Sequence, residues 1–403
     1  MNLKTVTLRA AALCIGMMLV SCLPLPKLNT CGDFDGVSNS LKEDNIVSLF
    51  ISHGMGGYSE GDPHDLIGGL IKELGMVPEG DPKTRKILKG DPTRVYGCFE
   101  RQDYCNPCNG HQLRIYFLDW RQATWDEKSV LRRIDEVCNE DCKRVPFIRQ
   151  WRKQLITDVV ADVSLYLGAH GDQIRYPFKQ AIRWIYQDSK DLNNHEIVSI
   201  GFSLGSQMLL DALDDMREDG THKNDPASVI ARHHFIEDTR AFFLMSNQFP
   251  LVYANRMPPR SNRYIYHDGA SCCECCECDT ECPLHEQFEP IGINWDTTAI
   301  GHFVLEKRET NPDFQLVSFG DPNDLLNFSV RTEALPYCSC GAHSNGLIHN
   351  VDVRNVKWAL FGQMVHPARA HQDYGENSHV IGMVTHGLHC KPEGSCSFDS
   401  YCE

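Results

Sequence analysis

Six short apolar runs recur along the chain, and segments with helical periodicity lie between them. Each run has the length of one strand, and an unbroken apolar strand is typical of a parallel sheet that is covered on both faces. Alternation of such strands with helices predicts an α/β fold, with a mostly parallel sheet flanked by helices. The runs occupy residues 45–51, 113–118, 196–200, 241–245, 314–319 and 348–353.

Longer irregular stretches interrupt this alternation. We interpret them as insertions at loop ends of the sheet, within one domain that spans residues 45–387. We expect the second and the fourth of them to shape or cover a binding pocket. The insertions lie at about 76–112, 121–150, 217–238 and 255–312.

The amino terminus has the pattern of an export signal. Two basic residues precede an apolar run at 10–20, which is about half of the roughly 20 residues needed to cross a bilayer. The sequence Leu-Val-Ser-Cys that ends at Cys22 resembles a bacterial lipobox. This resemblance implies a signal peptide at 1–21, a lipid on Cys22, a lipidated amino terminus and tether at 22–44, and a place in the bacterial cell envelope, at the outer membrane.

The chain is acidic, with 54 Asp and Glu against 39 Lys and Arg and a formal net charge of −15. Nucleic acids and anionic lipid head groups are polyanions, so proteins bind them through clustered Lys and Arg. We therefore expect no nucleic-acid partner, and we expect membrane attachment through the lipid on Cys22 instead of through charge.

A serine between two glycines follows the third apolar run. Residues 201–205 are Gly-Phe-Ser-Leu-Gly, and residues 206–216 have helical character. A tight turn from strand to helix exposes such a serine in a strained position, and glycines flank it because a Cβ there would collide with neighbouring backbone. The pattern predicts Ser203 as a nucleophile, and an ordinary glycine-rich turn is the alternative interpretation.

A second glycine-rich segment, Ser-His-Gly-Met-Gly-Gly at 52–57, follows the first run. Glycines after a strand leave backbone N–H groups unshielded, so these groups can point at a developing oxyanion. We predict the amides of Met55 and Leu204 as the two donors of an oxyanion hole. By itself, such a segment also fits a loop of purely conformational purpose.

With these two segments the chain resembles the α/β-hydrolase superfamily, on the side that holds lipases and esterases. The resemblance covers about 45–387 and leaves the insertions unexplained. It implies an α/β-hydrolase fold in which the nucleophile follows the third run, the acid the fifth and the histidine the sixth.

Two carboxylates, Asp321 and Asp324, follow the fifth run. The family commonly places its acid one residue before an apolar pair, and Asp324 precedes Leu325 and Leu326. Asp321 comes before Pro322 and fits a turn cap. We predict Asp324 as the acid and keep Asp321 as the alternative.

The catalytic base is expected in a loop beyond the sixth strand and before a closing helix at 377–385. This position favours His371, with His366 as its main rival. His343 and His349 come too early, and the helix itself would contain His379 and His386. The histidines after Asp324 are His343, His349, His366, His371, His379, His386 and His389.

Nineteen cysteines are too many for an ordinary reduced cytosolic enzyme. In an oxidising envelope they predict disulfides that staple the insertions, and a structural zinc is the alternative. The densest cluster lies at 272–282. The other groups are Cys98, Cys105 and Cys108 with His111 at zinc-like spacing, Cys138 and Cys142, Cys338 and Cys340, and three cysteines in a carboxyl-terminal tail at 388–403.

These features predict a lipid-anchored serine hydrolase of the lipase or carboxylesterase type. Ser203, His371 and Asp324 would cleave a small-molecule or lipid ester through an acyl-enzyme, without a cofactor or an active-site metal. The alternative is a non-catalytic envelope lipoprotein that keeps the scaffold for binding.

Overall fold

The computed structural model describes most of the chain between residues 33 and 397. The proposed signal peptide, Cys22, the cluster at 272–282 and His366 lie outside the described residues. The described ranges are 33–42, 46–56, 63–142, 157, 159–222, 225–256, 298–330, 347–355, 367–390 and 396–397.

An eight-stranded sheet forms the centre of the described fold, in the order β3-β4-β5-β2-β6-β7-β8-β9. The six strands from β5 to β9 in this order pair in parallel, and β3 and β4 pair antiparallel at one edge. The six apolar runs therefore form the six parallel strands, as predicted. The strands of this sheet are β2 (Ile46–Ser52), β3 (Val77–Lys89), β4 (Asp91–Cys105), β5 (Gln112–Asp119), β6 (His195–Phe202), β7 (Thr239–Met245), β8 (Gln315–Gly320) and β9 (Ile348–Asp352).

Helices cover both faces of this sheet, so the α/β architecture expected from the sequence is confirmed. They are α1 (Val37–Leu41), α2 (Pro63–Glu73), α3 (Trp125–Cys142), α4 (Ala161–Leu167), α5 (Gly171–Ser189), α6 (Leu204–His222), α7 (Pro226–Asp238), α8 (Phe249–Arg256), α9 (Ala299–Thr310), α10 (Pro367–Gln372) and α11 (Ser378–His386). Phe50 packs towards α5, α6 and α7, while Leu49 and Ile51 pack towards α1, α2 and α11. Two apolar cores result because successive strand residues point to opposite faces.

All four of the expected irregular insertions contain regular structure in the part that the structure describes, and α3 lies in the second insertion and α9 in the fourth. Residues 76–112 contain β3 and β4, a long hairpin that extends the sheet, and Ile87 is the one buried residue of β3. Residues 217–238 continue α6 and form α7, which Asp225 caps by accepting a hydrogen bond from Ser228 N. The apolar pattern missed the hairpin because nearly all of β3 is exposed and many of its residues are charged.

The segment expected to be a tether also contributes to the fold. Phe34 and Asp35 form β1, and Phe34 and Val37 are buried against the sheet. β1 pairs with β10 (Gly387–Cys390), which pairs with β11 (Cys396–Ser397). The described fold therefore starts before residue 45, and it extends into the tail expected at 388–403. No described helix has the length and apolarity to cross a membrane.

Candidate active site

Ser203 lies on the turn between β6 and α6, at the carboxyl edge of the parallel sheet. Its backbone has a φ of 51°, a left-handed conformation that a residue with a Cβ adopts at a cost. Cβ atoms added at Gly201 and Gly205 would overlap Ser206 and the carbonyl oxygen of His53, respectively. The two glycines thus allow the close approach that the sequence pattern predicted.

A chain of hydrogen bonds connects Ser203 to a histidine and a carboxylate. Ser203 Oγ lies 3.0 Å from His371 Nε2, and His371 Nδ1 lies 3.0 Å from each carboxylate oxygen of Asp324. Ser203 and Asp324 are buried, and His371 is half-buried. The structure brings together the three residues proposed as nucleophile, base and acid.

The end of β8, the helix α10 and the side chain of Tyr374 hold the acid and the base in place. Asp324 follows β8, and its Oδ1 accepts a hydrogen bond from Leu326 N. His371 lies in α10, a six-residue helix, instead of the loop expected there. Tyr374 donates to Asp324 Oδ2 at 3.3 Å and accepts from Asp321 N at 2.7 Å, so it connects the segment after α10 to the end of β8.

The electrostatics of Asp324 favour its ionised form. Burial by itself would raise the pKa of this carboxyl group, but hydrogen bonds from His371 and Ser246 and the charge of His371 outweigh burial and hold the pKa below its ordinary value. An ionised carboxylate beside Nδ1 orients the imidazole and stabilises its protonated form.

Ser246, which the sequence analysis did not single out, touches both of these groups. Its Oγ donates to Asp324 Oδ2 at 2.5 Å and lies 2.7 Å from His371 Nδ1. Ser246 follows β7 with a φ of 58°, and its N–H donates to the carbonyl oxygen of Phe319 on β8. Among the described residues that are not glycine, positive φ values occur at Asn194, Ser203 and Ser246, so two of the three lie in this site.

The sequence analysis did not single out Gln248 either, although this residue contacts the nucleophile. Its Nε2 donates to Ser203 Oγ at 2.7 Å, and the side chain is buried. A serine oxygen can donate to His371 and accept from Gln248 at the same time, so the two contacts are compatible. The sequence offered one indication of these two residues. Ser246 and Gln248 come directly after the buried strand β7, and β7 pairs with β6, the strand that precedes Ser203.

The glycine segment after β2 lies directly against the nucleophile. A Cβ added at Gly54 would lie 2.8 Å from Ser203 Cβ. Met55 follows in a half-buried turn, and Leu204 is buried as the first residue of α6. N–H groups in the first turn of a helix have no partner within it. Met55 and Leu204 thus lie on the two segments that border Ser203.

A buried ion pair supports the glycine segment. Asp162 Oδ2 accepts from Gly56 N at 2.9 Å and lies 2.6 Å from Lys128 Nζ, and Thr124 Oγ1 donates to Oδ1 at 2.9 Å. Asp162 and Lys128 are both buried. The pair ties α3 and α4 to the backbone beside the nucleophile.

His53 supports the same segment from the other side. Its ring stacks on Trp120 with centroids 4.9 Å apart, and Trp120 Nε1 donates to His53 O at 2.9 Å. Asp119 Oδ1 lies 3.3 Å from His53 Nε2. Burial would raise the pKa of Asp119, but hydrogen bonds from His53 and Arg121 outweigh it and keep the pKa well below the ordinary value.

Comparison of the chain with protein-family models, with curated proteins and with solved structures finds no match. A serine, an imidazole and a carboxylate in hydrogen-bonded sequence can activate the serine for attack on a carbonyl.

The alternative acid and bases have other positions. Asp321 accepts from Asn323 N and from Asn355 N, so it organises the turn after β8. His349 is buried on β9 against Phe34, with ring centroids 5.6 Å apart. His379 is exposed on α11, and His386 is buried on the same helix, 3.6 Å from Glu73. His343 and His366 lie outside the described residues.

The zinc-like group is not brought together. Cys98 and Cys105 lie on β4 seven residues apart, which is about 23 Å in a strand, so one ion cannot bind both. Cys98, Cys105 and Cys108 are free thiols in the described part of the chain, although disulfides were expected. Burial and the charge of Asp119 raise the pKa of Cys98, which disfavours a reactive thiolate.

A polar cleft elsewhere contains none of the three site residues. It opens between α4, α5 and α6 and is lined by Tyr166, Arg175 and several aspartates. Its lining resembles a solvated ion-pair surface, in which Arg175 Nε lies 2.7 Å from Asp215. The hydrogen-bonded arrangement at Ser203 is the better candidate for chemistry because it combines a nucleophile, a base and an acid.

Proposed function

We propose that this protein is a serine hydrolase that cleaves carboxylic esters through an acyl-enzyme. One observation carries the proposal: Ser203 Oγ, His371 and Asp324 form a continuous hydrogen-bonded chain with contacts of 3.0 Å. Three hydrogen-bonded groups from separate segments of the chain are the arrangement that nucleophilic catalysis by serine needs.

In the proposed reaction, Ser203 Oγ attacks the ester carbonyl carbon while its proton moves to His371 Nε2. Asp324 stabilises the imidazolium, and the amides of Met55 and Leu204 donate to the oxyanion. His371 then gives the proton to the departing alcohol as the C–O bond breaks. Water attacks the acyl-enzyme with His371 again as base, which releases the carboxylic acid and restores Ser203.

The α/β-hydrolase fold is part of the same proposal. The chain order of the parallel strands is β2, β5, β6, β7, β8 and β9. Ser203 follows the third of these strands, Asp324 the fifth and His371 the sixth, which agrees with the order that the family resemblance implies. The strained turn at Ser203, between a parallel strand and a helix, supports it further.

An apolar helix face favours esters with hydrophobic acyl chains. Val130, Leu131 and Ile134 share one side of α3 and are large apolar side chains that are exposed in the described part of the chain. Lys128 on the same helix contacts Asp162, which holds Gly56 beside Ser203. Exposed apolar patches of this kind commonly mark binding surfaces. We therefore propose a lipase or carboxylesterase instead of a hydrolase for small polar esters.

Labelling with a fluorophosphonate probe tests the nucleophile. We expect the purified protein to be labelled, Ser203→Ala to lose both labelling and turnover of p-nitrophenyl esters, and Ser199→Ala to keep both. Ser199 is a matched control because it is a buried serine on β6, four residues from Ser203, whose Oγ makes no hydrogen bond among the described residues. A folded wild-type protein that is not labelled would favour the alternative, a non-catalytic binding lipoprotein.

A series of p-nitrophenyl esters from acetate to palmitate tests the substrate class. We expect kcat/KM to rise with chain length, and Leu131→Ser with Ile134→Ser to reduce the gain for the long esters without affecting the acetate. Equal kcat/KM values across the series would exclude the apolar face as an acyl-chain site.

We further propose that the protein is exported and anchored through a lipid on Cys22. The support is the sequence at 10–22, an apolar run followed by Leu-Val-Ser-Cys. Cells grown with labelled palmitate test this. We expect label in the wild type and in Cys14→Ser but none in Cys22→Ser, and equal labelling of the two variants would contradict it.

A further inference from the structure

Two histidines and an aspartate converge at the edge of the sheet opposite to Ser203. His195 is the first residue of β6, and His234 and Asp238 lie one turn apart on α7. His195 Nδ1 lies 2.8 Å and His234 Nδ1 3.2 Å from the same oxygen, Asp238 Oδ2. The three ligand atoms all lie within 4.8 Å of one another.

The two nitrogen–oxygen distances, 2.8 Å and 3.2 Å, are close to those between the ligands of one ion. Zinc binds imidazole nitrogen and carboxylate oxygen at about 2.0–2.2 Å, and tetrahedral angles then place ligand atoms about 3.3 Å apart. His234 Nδ1 is buried and makes no hydrogen bond to another described residue, although it lies close to Asp238. An ion between the three groups would give this nitrogen a partner.

The surroundings of His195 accommodate an ion as well. His195 Nε2 lies 2.7 Å from Ser48 Oγ on β2. When Nε2–H donates to this hydroxyl, the lone pair of Nδ1 faces the carboxylate, and a cation resolves the repulsion. Metal-binding histidines commonly have such an outer hydrogen bond, which fixes the ring and its tautomer.

We propose that His195, His234 and Asp238 bind one divalent transition-metal ion, with zinc as the best match to two nitrogens and one oxygen. The side chain of His195 is 2% exposed, whereas those of His234 and Asp238 are 21% and 25% exposed. The ion therefore enters from solvent on the α7 side, where water completes its coordination. A lysine ammonium group also lies near Asp238: Lys307 Nζ donates hydrogen bonds to the carbonyl oxygens of Ile236 and Glu237.

The site is structural and independent of the proposed esterase function. Ser203 comes eight residues after His195, just beyond the end of β6, which is a distance of roughly 26 Å along the strand, so the ion cannot reach the ester. Its effect is to attach the start of β6 to the end of α7.

The same helix offers a matched control. His233 and Glu237 have the same spacing as His234 and Asp238, and His233 Nε2 lies 2.9 Å from Glu237 Oε1. Both are exposed, and they belong to no described three-ligand cluster. A helical pair by itself would bind metal equally well at either position.

Cobalt titration of the chelator-treated full-length protein tests the proposal. Tetrahedral cobalt absorbs visible light, and cobalt bound to cysteine adds a strong near-ultraviolet band, so the spectra separate this site from thiol sites. We expect one site without the thiolate band, displaced by zinc. We expect the site to be lost in His234→Ala and Asp238→Asn and kept in His233→Ala.

Two more measurements keep the test decisive if a ligand variant unfolds. We expect Ser48→Ala, which keeps all three ligands, to weaken zinc binding by about 10- to 100-fold. Zinc is expected to raise the Tm of the wild type and of His233→Ala by roughly 3 °C or more, but not that of His234→Ala. Zinc binding that is unchanged in Ser48→Ala and His234→Ala, or absent from the wild type, would overturn the proposal.

Discussion

The hydroxyl oxygen of Ser246 lies 2.7 Å from His371 Nδ1, the nitrogen that also faces Asp324. Ser246 thus forms a fourth member of the hydrogen-bonded site, and it follows β7, the strand between β6 and β8, which precede Ser203 and Asp324. Its hydroxyl donates to Asp324 Oδ2, and this bond contributes to the lowered pKa of that carboxyl group.

Removal of this hydroxyl is expected to impair catalysis without impairing binding. In Ser246→Ala, Asp324 loses a hydrogen bond, so the carboxylate and the imidazole are less firmly oriented. We expect kcat for ester hydrolysis to fall about 10-fold with an unchanged KM, the result of losing a contact that acts in the transition state. Ser318→Ala, a buried serine on β8, is the control and keeps its kcat. An unchanged kcat in Ser246→Ala would leave Ser246 a structural role only.

The two carboxylates after β8 are expected to separate into one for catalysis and one for stability. Asp324→Asn keeps the shape of the side chain but removes the charge that orients His371, so we expect kcat to fall by about 10⁴-fold. Asp321 accepts from Asn323 N with one oxygen and from Asn355 N with the other, so Asp321→Asn weakens the turn. We expect Asp321→Asn to lower Tm and to keep kcat within about 10-fold of the wild type. The reverse pattern would make Asp321 the acid.

Gln248 is expected to act on the serine oxygen itself. Its amide N–H lies 2.7 Å from Ser203 Oγ, close enough to donate also to the oxyanion that forms on the adjacent carbon. Loss of one such donor costs roughly 10²–10³ in kcat in known serine hydrolases, and we expect a loss of about 10- to 100-fold in Gln248→Ala because the backbone amides remain.

Gln207→Ala is the matched control for this prediction. Gln207 is a buried amide on α6 that donates to Asp211 and to Tyr253. We expect this variant to lose stability in urea unfolding and to keep its rate of fluorophosphonate labelling, while Gln248→Ala is labelled more slowly. Equal labelling rates in the two variants would remove Gln248 from the mechanism.

The sequence predicted the parallel strands but not the edge hairpin, and the reason is burial. β6 and β7 are mostly apolar and almost entirely buried because helices cover both of their faces. β3 pairs only with β4 and exposes nearly every side chain, so charged residues replace the apolar pattern. Hydrophobic patterns report burial, and an exposed strand leaves no such signal.

The site was predictable where a local motif exists and not where distant segments meet. Ser203 lies in a pentapeptide whose glycines are required locally, and Asp324 and His371 were chosen through a family resemblance. Ser246 and Gln248 belong to no motif, and only the pairing of β7 beside β6 brings them to Ser203. The register of neighbouring strands is a tertiary property that a short pattern does not encode.

The buried pair of Asp162 and Lys128 is expected to affect both stability and rate. Asp162→Ala leaves Lys128 as an unpaired buried charge, which typically costs about 3–5 kcal/mol in the free energy of unfolding. It also releases Gly56, next to Met55, so we expect kcat to fall. Adding Lys128→Met removes the charge and is expected to restore most of the stability, measured by urea unfolding, but not kcat. Recovery of both together would show that Asp162 acts on stability alone.

The carboxylate of Asp119 is expected to make stability depend on pH at the acidic end. Its folded pKa lies well below the ordinary value of about 3.8 because hydrogen bonds from His53 and Arg121 outweigh burial. The ionised group therefore stabilises the fold above its unfolded pKa of about 3.9, and this contribution is lost as pH falls towards the folded pKa.

Urea unfolding of the wild type and Asp119→Asn at pH 7, 5 and 3 measures this contribution. We expect the variant to be less stable by on the order of 2 kcal/mol at pH 7 and pH 5, with a smaller difference at pH 3. Asp91→Asn is the control: Asp91 is an exposed carboxylate that accepts hydrogen bonds from Thr93, which lower its pKa. Solvent screens this exposed group, so we expect little change in stability at any pH. A difference of the same size at pH 3 and pH 7 would mean that the charge of Asp119 does not support the glycine segment.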